Sequence, residues 1–102
     1  MDAKMLIHPG EILQDEFLDP YGLNPNRLAV ALDVPPNRIT SIIHGDRGIS
    51  AETAVLFARA FGTSPEFWMN LQNRYDLDVA AASVSKDRID RADALARELH
   101  VA

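Results

Sequence analysis

The stretch from Pro25 to Ser50, PNRLAVALDVPPNRITSIIHGDRGIS, constrains the fold more than any other part of the chain. Two segments with apolar residues at helical spacing flank a break at Asp33-Val34-Pro35. Leu28, Ala29 and Leu32 form the expected buried side of the first segment, and Ile39, Ile42 and Ile43 that of the second. Ala29 is small enough to let two helices cross closely, and Val34 is placed to plug the turn between them. This is the spacing of a helix-turn-helix, a motif whose second helix can enter the major groove of DNA. Asp33 falls where such a turn needs a left-handed residue, a conformation that Gly takes readily and Asp less well.

The flanking sequence predicts further helices and no strands, hence an all-α fold. Met5, Leu6 and Ile7 are available to pack on the domain as a short lead-in. Pro9 suits a first helical turn, and Ile12, Leu13, Phe17 and Leu18 follow at helical spacing. Pro20 disfavours helical geometry at Asp19, so this first helix is expected to span Pro9 to Leu18. Asn24 is the expected N-cap of a second helix running from Pro25 to Leu32. The third opens at Pro35-Pro36 and runs to about His44, with Gly45 as its stop. Ser50 caps a fourth, which carries Ala54, Phe57, Ala58 and Phe61 on one face and closes at Gly62.

Two registers are open for the start of the fifth helix: Thr63 with Glu66 as a capping box, or Ser64 as cap with Pro65 first. That helix carries Phe67, Trp68, Leu71 and Tyr75 and extends towards Ala82. The aromatic group fits either a domain core or a seam between two copies. After a break at Ser83-Val84-Ser85, Lys86 to His100 reads as an amphipathic helix with Ile89, Ala92, Leu95, Ala96 and Leu99 on one stripe, an equal candidate for that seam. The organisation is therefore a helix-turn-helix domain over residues 1–82 and a C-terminal helix or tail over 83–102.

Taken as a sum, the charge opposes nucleic-acid binding, because the formal net charge is −5. Its distribution reverses the argument. Residues 24–47 carry Arg27, Arg38 and Arg47 against Asp33 and Asp46, a net +1 within an otherwise acidic chain. One mildly basic face on an acidic body suits a specific DNA binder, since phosphate attraction supplies most non-specific affinity. No apolar run approaches the ~20 residues that span a bilayer, and the N-terminus lacks the apolar region of a secretory signal. With no Cys there is no disulfide framework and no thiolate chemistry. A cytoplasmic location is expected.

Phasing the third helix at about 100° per residue places Asn37, Ser41 and His44 opposite its isoleucines, with Arg38 and Thr40 on the flanks. Asn suits adenine, Arg suits guanine, and Ser or Thr suits several bases or a phosphate. Arg47 and Arg27 are better placed for the phosphate backbone, and Asn24 and Ser50, at helix starts, for backbone-mediated phosphate contacts. The same residues would also occur on an ordinary solvated helix face; the spacing of both helices favours DNA. Catalytic signals are weak. His8, His44 and His100 are scattered, HExxH is absent, nothing orients His44 as a base for Ser41, and no glycine loop cradles phosphate. Neither a metal nor a cofactor is implied, and an enzyme is disfavoured.

Three segments carry a more specific likeness: HPGEIL at 8–13, EFLDPYGL at 16–23, and RLAVALDVPPNRITSIIHGDRGISAETAVLFARAFGTSPEFWMNLQNRYDL at 27–77. With them the chain resembles the HigA-type antitoxins of the Xre (lambda-repressor-like) helix-turn-helix family; beyond Asp78 the likeness fades. The resemblance implies a five-helix DNA-binding core acting as a homodimer on an operator in its own promoter. It also implies a HigB-type (RelE-like) mRNA-cleaving toxin as partner. Asn37, Arg38, Thr40 and Ser41 are then the implied readers and Arg47 a backbone contact. Two other functions fit the residues: a repressor without a toxin, and an interaction module that no longer binds DNA.

Overall fold

Pro20 does not end the first helix. The computed structural model describes residues 6–100, and in it an α-helical turn over Pro9–Ile12 widens into a π-helical stretch, Leu13–Leu18, then resumes over Asp19–Tyr21. Together these form α1. The expected end at Leu18 is corrected for a physical reason: in the wide register the Asp19 N–H donates to the Gln14 carbonyl, five residues back. The carbonyl four residues before Pro20 is thereby relieved of the proline ring that would clash with it in a regular helix. Gly22 then closes α1 with φ 64°, and Leu23 N–H donates to Leu18 O at 2.9 Å, a Schellman arrangement.

Five helices follow: α2 (Pro25–Leu32), α3 (Pro36–Ile43), α4 (Ala51–Phe61), α5 (Pro65–Ser83) and α6 (Lys86–His100). Asn24, Ser50 and Ser64 cap α2, α4 and α5 through their side-chain oxygens. Of the two registers open for α5, Ser64 with Pro65 is the one formed, and the Thr63 hydroxyl instead accepts from Trp68 Nε1 at 2.8 Å. Asp33 takes the left-handed conformation (φ 56°), and Val34 N–H donates to Ala29 O at 3.0 Å.

The core joins Leu13 and Leu18 of α1, Leu28 and Ala29 of α2, Ile39 and Ile42 of α3, Ala54, Phe57 and Ala58 of α4, and Trp68 of α5. Leu32 and Ile43, expected to be buried, are only half-buried and pack against its edge. Leu6 and Ile7 are exposed and do not form the expected packing; Met5 lies outside the described residues. Trp68 belongs to the core of one chain, surrounded by Phe17, Phe57, Phe61 and Phe67. No helix among the described residues is long and apolar enough to cross a membrane.

Candidate nucleic-acid interface

Two features present α3 to solvent. Its inner side is anchored by Ile39 and Ile42, both fully buried, and its C-terminal end is crossed by α1 at Gly10. A Cβ at Gly10 would lie 1.9 Å from the Ile42 carbonyl oxygen, so the two backbones are in direct contact there. Pro35 and Pro36 open α3 without side-chain capping, and neither carries an N–H that would need a partner.

The structure distributes the expected reading residues unevenly. Asn37 and His44 are exposed, whereas Arg38, Thr40 and Ser41 are half-buried. The Thr40 hydroxyl bonds back to the carbonyls of Pro36 (3.5 Å) and Asn37 (3.3 Å). Arg38 lies along α4: its Nη1 is 3.8 Å from Glu52 Oε1, and its Nε is buried without a hydrogen-bond partner. Glu52 is largely exposed, so this long ion pair adds little stability. Arg27 and Arg47, the two arginines expected at phosphates, are exposed. Asn24 is exposed too, but its Oδ1 is occupied by the Arg27 N–H at 2.8 Å.

Arg47 sits in a loop held from both sides. The Ser41 carbonyl accepts from the N–H groups of Asp46 (2.9 Å) and Arg47 (3.2 Å). Further on, the Ile49 N–H donates to Gln72 Oε1 at 2.6 Å, and Gln72 Nε2 donates to Asp76 Oδ1 at 2.8 Å. Gln72 is buried, and a Cβ at Gly48 would meet its amide at 3.0 Å. Neither Gln72 nor Gly10 was legible as part of this assembly, because both act on segments distant in sequence.

His8 supports the same corner. It caps α1, with Nδ1 accepting from Gly10 N–H at 2.9 Å while Glu11 reaches back to the His8 N–H at 3.2 Å. Its ring packs edge-on to Tyr75, centroids 4.8 Å apart. Burial holds the imidazole below its ordinary value of 6.5, against the opposing pull of Glu11, Asp76 and Asp46. A proton on Nδ1 would also end the cap. The unfolded chain therefore takes this proton more readily than the folded one, so the contribution of His8 is complete above about pH 6.5 and is lost as pH falls through the lowered value. His8→Asn, which keeps an acceptor but does not titrate, is expected to flatten the fall in urea midpoint between about pH 7.5 and pH 5. An unchanged slope would remove His8 as its source.

Two crossed helices, a left-handed turn and an exposed polar face on the second helix define a regulator of the helix-turn-helix class. The family model described as Helix-turn-helix matches residues 16–68, and Pseudomonas aeruginosa antitoxin HigA, solved with the higBA promoter, superposes with a TM-score of 0.75. It is 41% identical, over 96% of this chain and 97% of that one. The chain belongs to the Xre-type (lambda-repressor-like) helix-turn-helix family, among the HigA-type antitoxins. It is also similar to PA4674 of Pseudomonas aeruginosa, solved with its 18-bp operator DNA, at 46% identity and TM-score 0.78 over 83% of this chain and 91% of that one. Virulence-associated protein I of Dichelobacter nodosus is 50% identical over 74 residues, 72% of this chain and 68% of the relative.

Proposed function

We propose that this protein is an antitoxin that binds an operator in its own promoter as a homodimer, represses its operon, and neutralises a HigB-type (RelE-like) mRNA-cleaving toxin. The observation that carries the reading is the near full-length likeness to an antitoxin solved with its promoter, joined to an α3 that carries Asn37, Arg38, Thr40 and Ser41 away from its buried Ile39 and Ile42. Asn37, Arg38, Thr40, Ser41 and His44 then meet base edges, while Arg27, Arg47 and the α2 start at Asn24 meet phosphates. The half-buried Arg38 is the reader whose Nε has no hydrogen-bond partner within the described residues. Outside residues 24–47 the chain is acidic, which restrains non-specific DNA binding and suits a toxin that must be basic to hold RNA.

Arg38→Ala is expected to weaken binding to the native promoter by ~1–3 kcal/mol and to scrambled duplex much less. Equal losses on both would reassign Arg38 to a phosphate. The operator should be a palindrome with half-site centres ~10 bp, or a multiple of that, apart. Expressing the product of the adjacent small reading frame alone should arrest growth, and co-expression of this chain should relieve the arrest. Normal growth under the first condition would leave a repressor without a toxin.

A further inference from the structure

Helix α6 stands apart from the fold it follows. Every residue from Lys86 to His100 is exposed, including Ile89, Leu95 and Leu99. The molecule is accordingly 58 Å long and only 26 × 22 Å in cross-section. An isolated 15-residue helix is marginal in water, and the apolar stripe of this one has no cover among the described residues.

We infer that α6 pairs with α6 of a second copy as a short parallel two-stranded coiled coil. The inference rests on the homodimer proposed above and assigns its seam. Written as heptads, Ile89 and Ala96 occupy a positions and Ala92 and Leu99 occupy d positions. Ile89 at a and Leu99 at d are the residue types that favour two parallel strands, and Ala92 and Ala96 between them allow close approach.

Charge identifies the occupant. The segment has four cations (Lys86, Arg88, Arg91, Arg97) and four anions (Asp87, Asp90, Asp93, Glu98), so it selects neither a basic nor an acidic partner. Two of the possible pairs are satisfied within the helix: Lys86 with Asp90 at 2.9 Å and Arg91 with Asp87 at 3.0 Å. Arg88 and Asp93 flank the apolar stripe and have no ion-pair partner among the described residues. They stand at g and at the following e, five residues apart, the two positions that meet between parallel strands. By two-fold symmetry Arg88 of each copy meets Asp93 of the other. The antiparallel arrangement, with Ile89 opposite Leu99, brings Asp93 near its own copy across the axis and Lys86 near His100.

Because the chain has no Cys, Ala92→Cys introduces a single thiol at a d position, and Ala94→Cys a control on the outer face. In the full-length protein at micromolar concentration, mild oxidation should convert most of the Ala92→Cys variant, and little of the Ala94→Cys variant, into disulfide dimer. Light scattering should show Arg88→Asp weakening dimerisation by roughly fivefold, and Arg88→Asp with Asp93→Arg restoring it. A dimer that persists without the Ala92→Cys cross-link overturns the seam and leaves the homodimer standing. Cross-linking only when Ala92→Cys is mixed with Ala96→Cys overturns the parallel arrangement. A monomer under all conditions overturns both the seam and the homodimer.

Discussion

Gly10→Ala is expected to destabilise the protein by about 3 kcal/mol, although Ala is the better helix former. Two effects of opposite sign compete. Replacing Gly inside a helix gains up to ~1 kcal/mol from backbone propensity. Against this, the new Cβ would lie 1.9 Å from the Ile42 oxygen, 2.7 Å from its carbonyl carbon and 2.8 Å from Ile43 Cα. All three are backbone atoms, so no rotamer change relieves the overlap. Either α1 withdraws from α3 or the end of α3 shifts, and in both cases Ile42 leaves its buried position. Urea denaturation should show a lower midpoint with an unchanged slope, and DNA affinity should fall at temperatures where the wild type is still folded. Gly22→Ala serves as control: nothing lies within 4 Å of its Cβ, and only the positive φ of 64° opposes it, for ~1 kcal/mol. A neutral or stabilising Gly10→Ala would mean that α1 and α3 do not meet backbone to backbone.

Gly10 also shows where sequence reasoning stops. The helix-turn-helix was legible because its determinants are local: Asn24 caps three residues away, Asp33 turns where α2 must end, and the isoleucines of α3 repeat at helical spacing. The polar face of α3 followed from phasing alone. What could not be phased was depth. Thr40 and Ser41 are half-buried; the Thr40 hydroxyl turns back on its own helix and the Ser41 carbonyl receives the following loop. Pro20 misled for a related reason. The rule against helix before proline assumes a regular register, whereas the π-helical stretch brings Leu13 and Leu18, five residues apart, into the same core. Gln72 had no signal at all. A lone glutamine on a helix reads as solvated, and its partner Ile49 lies 23 residues earlier.

Trp68→Ala is expected to cost ~3–5 kcal/mol, enough to bring a domain of this size near its unfolding threshold at room temperature. The indole is fully buried, with ring centroids of Phe17, Phe57 and Phe67 within 5.0–5.1 Å, so it joins α1, α4 and α5 at one point. Truncation removes that contact and leaves a cavity bounded by three helices, which a short α4 cannot collapse to fill. Trp68→Phe separates packing from polarity. It keeps most of the apolar volume but leaves the Thr63 hydroxyl without the Nε1 donor, and should cost ~1–2 kcal/mol. A loss below about 1 kcal/mol for Trp68→Ala would return the residue to the surface and reopen its reading as a seam between copies. The consequence reaches the DNA face through α5 itself. Gln72 lies one helical turn beyond Trp68 and holds the Ile49 end of the loop that presents Arg47. Loosening α5 should therefore first lower the contribution proposed for Arg47, seen as a shallower salt dependence of operator binding, and only then unfold α3.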